Sequence, residues 1–338
     1  MKHTWLLCAV LIASCTAADQ PPAAGRPAVT ASHAPLSPAA SALLSYLNGL
    51  ADNPRHVLSG QHSSYWGSNP LDYVQRAASM TGKTVAILGT TSGQSGSTQD
   101  VVALSNQWLD QHGIVMVSWW PIDPFTNSYS SVKPTSSDNF ARLAQPGTAA
   151  YTAWYKILDG QIALLKQIKG PVLYRPFVEL NGDWSWWQNQ YPGVFTTVWQ
   201  QMHDYFVSKG VTNVLWVYNV NTGKGGYTQY YPGASYVDVL SLDAYPPSKK
   251  DASTYQALLT LNQPIIYGEI GVTDPNNSKV VRNSADNSQL LAVVKAEFPK
   301  VVGMVFFCQN YGISEQQGAS ELLNDPAIVN RNDLPPGL

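Results

Sequence analysis

The chain has 338 residues, enough for one large domain, and shows no internal repeat. Its 20 Lys and Arg nearly balance its 22 Asp and Glu, and only 12% of residues are charged, so there is no basic field to gather phosphate backbones and nucleic acid is excluded as a partner. The 11 tryptophans suit either core packing or stacking on the apolar face of a sugar.

Residues 1–15, MKHTWLLCAVLIASC, pass from Lys2 through an apolar stretch to small residues, the layout of an export signal and too short to span a bilayer. Ile12-Ala13-Ser14-Cys15 resembles a bacterial lipobox, which predicts cleavage before Cys15 and lipid on its thiol. Residues 16–38 are rich in Pro, Ala and Ser and lack an apolar period, so they read as a flexible tether. The expected location is a bacterial membrane, periplasmic or cell-surface face, with the N-terminal lipid as the only membrane contact. With Cys8 removed and Cys15 lipidated, Cys308 has no partner for a disulfide.

From residue 39 to 338, short apolar runs alternate with stretches of helical period. The strand candidates are 57–62, 84–90, 114–120, 172–180, 214–220, 237–245, 264–271 and 302–310, with helical stretches at 71–82, 152–170, 195–210, 254–262 and 287–299. Eight such units predict an α/β fold, a single-domain (β/α)8 TIM barrel. An open doubly wound sheet is the alternative, but no GxGxxG turn follows the first strand. In a barrel the chemistry gathers where the strands end, and these ends carry His62, Trp119, Trp120, Glu179, Asn181, Asn219, Asp243, Tyr245, Glu269, Gln309 and Asn310.

Glu179 and Glu269 each follow an apolar run, where a buried charge is costly unless paired or functional. They fall on the fourth and seventh strand units, across the barrel mouth from each other. Two facing carboxyl groups are what glycoside cleavage needs, one to donate a proton and one as nucleophile or as base for water. Taken singly, Glu179 could pair with Arg175 and Glu269 could cap a strand. Of the 6 histidines none lies in an HxH or HExxH pattern, so neither a metal site nor a cofactor is expected.

The segments PVLYRPFVELNGDWSWW (171–187), SGQH (59–62), GIVMVSWWPIDP (113–124), YYPGASYVDVLSLDAY (230–245) and PIIYGEIG (264–271) resemble glycoside hydrolase family 26, the β-mannanase family. The resemblance implies a retaining, endo-acting hydrolase of a β-linked polysaccharide, with Glu179 as acid/base and Glu269 as nucleophile. It places Arg175 under the site, where its charge favours the Glu269 carboxylate, and Tyr245 on the nucleophile. Trp184 becomes an aromatic wall, with Trp187, Asn181 and Asp243 beside it. Two positions depart from the family's pattern, Val178 and Trp120 standing where it usually has histidines. β-Mannan is therefore one expected substrate beside mixed-linkage β-glucan, β-1,3-xylan and a bacterial exopolysaccharide. A non-catalytic carbohydrate-binding barrel is the competing class. The expected partner is a polysaccharide or oligosaccharide, and the expected state a monomer.

Overall fold

A computed structural model describes residues 35–65, 67–93, 100–129, 133–245, 252–271, 283 and 285–338. The signal segment, Cys15 and most of the tether lie outside the described residues.

Eight parallel strands close on themselves. They are β1 (Val57–His62), β2 (Ile87–Ser92), β3 (Ile114–Trp119), β4 (Val172–Pro176), β5 (Val214–Asn221), β6 (Val239–Ala244), β7 (Ile265–Ile270) and β8 (Val301–Phe306). Each pairs with the next, and β8 returns to β1 at Leu58 and Gly303, which leaves no open edge. A two-residue strand, β9 (Ile328–Val329), lies along the start of β1. The helices are α1 (Pro38–Asp52), α2 (Asp72–Thr81), α3 (Val101–Leu109), α4 (Ser137–Ala141), α5 (Ala149–Leu165), α6 (Pro192–Ser208), α7 (Ala252–Leu259), α8 (Asn287–Glu297) and α9 (Ala319–Leu323). This is the (β/α)8 barrel the alternation predicts.

Local chemistry sets the helix ends. Ser37, Asp100, Thr148 and Asp286 each accept a hydrogen bond from a first-turn backbone N–H, and Pro38 and Pro192 open α1 and α6 where no N–H is needed. Helix α1 begins at the C-terminal end of the tether stretch. Its Ala40, Leu43, Leu47 and Leu50 form one apolar stripe that joins Leu58, Ile87, Met116, Leu215 and Ile266 in a single cluster, closing the barrel floor. Burying each of these leucines contributes about 1.5–3 kcal/mol.

A second cluster packs the strands' outer faces against the helices and is rich in aromatic rings, including Trp119, Trp154, Tyr174, Phe177, Trp186, Phe195 and Trp199. Trp119 stacks on Trp154 and Tyr174, with centroids 5.6 and 6.1 Å apart. Most of the described tryptophans are therefore core, and only Trp120 and Trp184 are not buried.

The strands end earlier than their apolar runs. The run predicts β4 as far as 180, but the strand stops at Pro176, which has no N–H for the ladder. The chain then turns with Phe177 and Glu179 both in the left-handed region, at φ 53° and 54°. Such backbone in a bulky residue stores strain and concentrates at functional sites. β8 likewise ends at Phe306, so Gln309 and Asn310 sit in a short 3-10 turn and not on a strand.

Candidate active site

Above the apolar floor, the inward side chains at the strands' C-terminal ends become polar, and Arg175 on β4 is their hub. Its guanidinium is fully buried and donates to Ser118 Oγ (3.0 Å), to both oxygens of Asp243 (2.8 and 3.0 Å) and to Glu269 Oε1. Asn219 on β5 donates to Ser241 Oγ (3.0 Å) and Asp243 Oδ1 (2.9 Å), while its own Oδ1 accepts the backbone N–H of Glu179 at 2.6 Å. That last bond ties the strained turn after β4 to the neighbouring strand.

Glu269 sits beside a bulge. The β6 ladder passes from Leu242–Tyr267 to Asp243–Glu269 and skips Gly268, and the β8 ladder skips both Gly268 and Glu269. A side chain at Gly268 would put its Cβ 2.3 Å from Ser241 Oγ and 2.5 Å from an Arg175 nitrogen, so the guanidinium fits only against a glycine. The Tyr245 hydroxyl donates to Glu269 Oε2 at 2.8 Å, and burial beside three carboxylates holds that phenol well above its ordinary pKa, keeping it a donor. Both oxygens of Glu269 are thus oriented by donors.

Glu179 is oriented differently. Asn221 Nδ2 donates to its Oε1, and Trp184 stands beside its carboxyl group. Burial, then the charge of Glu269, pushes its pKa up to about 7, against the pull of Asn221, Arg175 and Trp184. Glu179, Asp243 and Glu269 each place a carboxylate oxygen within 4.8 Å of the others. Arg175 supplies the positive charge among them, being paired with two of the three.

A cleft of about 330 Å³ opens over the two glutamates, lined by Tyr65, Trp120, Tyr245, Phe307 and Tyr311. Of the residues expected to contact substrate, Trp120 and Tyr245 line it, and Trp184 stands half-buried against Glu179 with Lys224 Nζ 4.9 Å from its ring centroid. The others are placed differently. Arg175, Asn219 and Asp243 are fully buried beneath the cleft, spent on one another and on the glutamates. Asn181 is used up joining two loops, donating to Asn221 O and Gly225 O (both 2.9 Å) and accepting from Asn221 N (2.7 Å). Trp119 belongs to the outer core, facing away from the glutamates.

Trp187 is buried too. It donates to Val178 O (3.1 Å) and meets Trp120 edge-on at 5.5 Å, so it backs the cleft wall without forming it. His62 is fully buried with both ring nitrogens engaged, by Gly268 O (2.9 Å) and the Tyr65 hydroxyl (2.7 Å). Burial, opposed by the charge of Glu269, lowers its pKa to about 4, so the ring is neutral. Gln309 is exposed and outside the cleft lining, where Phe307 and Tyr311 stand in its place.

The strand ends miss Tyr65, Asn221, Phe307 and Tyr311. Asn221 is within reach of sequence reasoning, since a residue two beyond Asn219 on one strand shares its face. Phe307 is within reach too, lying inside the 302–310 run two residues before Gln309, whereas Tyr65 and Tyr311 fall beyond the runs, where the alternation of strands and helices does not specify the path.

A parallel barrel that presents two hydrogen-bonded glutamates, a buried arginine and an aromatic-walled cleft at its C-terminal end has the form of a barrel glycoside hydrolase. The family model for glycosyl hydrolase family 26 matches residues 34–333, and the chain belongs to that family. It is 29% identical over 306 residues to mannan endo-1,4-beta-mannosidase A and B of Caldalkalibacillus mannanilyticus, covering 83% of this chain but only 58% of that longer protein. It is 26% identical over 316 residues to mannan endo-1,4-beta-mannosidase of Bacillus subtilis, covering 85% of each. The solved structure of Bacillus subtilis mannanase BCman matches with a TM-score of 0.76 and 26% identity, over 88% of this chain and 95% of that one.

Proposed function

We propose that this glycoside hydrolase is a retaining, endo-acting enzyme on a β-linked polysaccharide, with β-mannan the first substrate, Glu179 the acid/base and Glu269 the nucleophile. The observation that carries the reading is the close approach of the two glutamates, with carboxylate oxygens within 4.8 Å. Inverting enzymes hold their carboxyl groups about 6.5–9.5 Å apart to admit a water, whereas retaining enzymes hold them about 5–5.5 Å apart.

The environments divide the roles. Glu179, raised to about 7, carries a proton at neutral pH and gives it to the leaving glycosidic oxygen. Glu269, with Arg175 on one oxygen and Tyr245 on the other, attacks the anomeric carbon as a carboxylate and forms a glycosyl ester. Glu179, now a base, takes a proton from water as that water displaces Glu269. The two donors then stabilise the departing carboxylate.

Trp120 and the phenol rings offer flat apolar faces to a pyranose. Val178, buried, presents no hydrogen-bonding side chain to the cleft. β-Glucan, β-1,3-xylan and a bacterial exopolysaccharide therefore stand beside mannan as substrates to be tested. The enzyme is proposed to act as a monomer, exported and tethered through lipid on Cys15. The deciding assay is hydrolysis of a polysaccharide panel by the native protein and by Glu179→Gln and Glu269→Gln. Near-complete loss in both variants is expected, and an active Glu269→Gln enzyme overturns the assignment.

A further inference from the structure

We infer that His62 is a positioning residue for Glu269, a neutral imidazole that pins the bulge carrying Glu269 to the cleft wall through Gly268 and Tyr65. This rests on Glu269 being the nucleophile.

Gly268 immediately precedes Glu269, and both neighbouring ladders skip it. The carbonyl orienting the peptide that enters Glu269 is held instead by His62 Nε2 at 2.9 Å, reaching from β1 past β8. A carbonyl only accepts, so Nε2 carries the ring proton and Nδ1 must accept, which it does from the Tyr65 hydroxyl at 2.7 Å. The Gly268 carbonyl therefore fixes the tautomer, Tyr65 holds the ring's other nitrogen by donating to it, and the Tyr65 ring lines the cleft with Glu269.

The sequence makes room for this ring. A Cβ at Gly89 would come within 2.6 Å of His62 Nδ1, so the neighbouring strand must be bare there. Tyr65 in turn meets Phe307 edge-on at 5.7 Å, another cleft residue. One rigid chain of contacts thus runs from the aromatic wall through His62 to the backbone of Glu269, and a histidine that touches no sugar bears on the geometry of attack. Misplacing a reacting group by about 1 Å can cost on the order of 10²-fold in rate.

The test uses the full chain and reads formation of the glycosyl-enzyme directly. Native protein, His62→Asn, His62→Gln and Tyr65→Phe are incubated with manno- and gluco-configured 2-deoxy-2-fluoroglycosyl fluorides, and the label on Glu269 is followed by mass spectrometry alongside Tm. His62→Asn, whose amide is too short for Gly268 O, should label about 10²-fold more slowly with little change in the half-saturating probe concentration. His62→Gln places an amide N–H near the lost Nε2 and should recover most of the rate. Tyr65→Phe, which keeps the imidazole and its bond to Gly268 O but removes the donor that holds Nδ1, should fall between.

Labelling at the native rate in both His62→Asn and Tyr65→Phe, with only Tm lowered, would show a structural role and overturn the inference while leaving the nucleophile in place. If His62→Asn does not fold, Tyr65→Phe and His62→Gln decide the matter on the same readout. A native enzyme that either probe labels on a carboxylate other than Glu269 overturns the nucleophile reading and this inference with it.

Discussion

Replacing Asn221 by Leu should move the alkaline limb of activity upward. The side chain has nearly the same size and reaches the same place at the end of β5, but it removes the amide that donates to Glu179 Oε1. A hydrogen bond to a charged group contributes about 1.5–3 kcal/mol, and one pKa unit corresponds to about 1.36 kcal/mol, so its loss lifts Glu179 by about 1 to 2 units. From about 7 in the native enzyme, the group should then titrate near about 8 to 9. The assay is kcat/KM against pH on a soluble substrate, where the alkaline limb reports the acid of the free enzyme. A limb that stays near its native position or moves to lower pH would refute the claim that Asn221 holds Glu179 down against burial and the charge of Glu269.

Three other perturbations test the rest of the site. Arg175→Met leaves Asp243 and Glu269 buried without a counter-charge; breaking such a pair costs about 3–5 kcal/mol, and calorimetry should show Tm lower by on the order of 10 °C, with activity lost. Glu179→Gln should be more stable than the native enzyme above pH 7. A carboxyl raised in the fold contributes stability only while protonated, fully below its unfolded pKa near about 4.3, and loses it as pH rises through about 7. The Tm advantage of the Gln variant should therefore vanish below about pH 4. Gly268→Ala drives a methyl into Ser241 and Arg175; it should lower both Tm and kcat, and an unchanged kcat would contradict the packing described around the bulge.

Much of the fold, and the pair of glutamates proposed to be catalytic, is legible in the amino-acid order. Strands and helices alternate along the chain because each strand is a short apolar run, and eight of them, parallel and buried on both faces, give a closed barrel. Glu179 and Glu269 stand out because a carboxylate ending such a run calls for an explanation. What the sequence hides lies in direction. Trp119 and Trp120 are adjacent and look equivalent, yet strand alternation sends the first into the outer core and the second to the cleft.

His62 reads as a sugar contact because strand ends in a barrel face the site, but it sits one layer deeper, where its ring meets Gly268. The apolar run of β4 continues past Pro176, and only the missing N–H and the positive φ at Phe177 and Glu179 reveal that the chain has left the sheet. Helix α1 follows directly on a Pro- and Ala-rich stretch, and its leucine stripe gains meaning only against the barrel floor. Tyr65 and Tyr311 join Phe307 from loops, a placement no local pattern encodes.

The central claim is double displacement through Glu269, and the stereochemistry of the first-formed product tests it most directly. Proton NMR recorded during the first turnovers on a β-linked oligosaccharide should show the new reducing end appearing as the β-anomer, followed by slow mutarotation. Initial appearance of the α-anomer would mean that water attacks directly, and Glu269 could not then be the nucleophile.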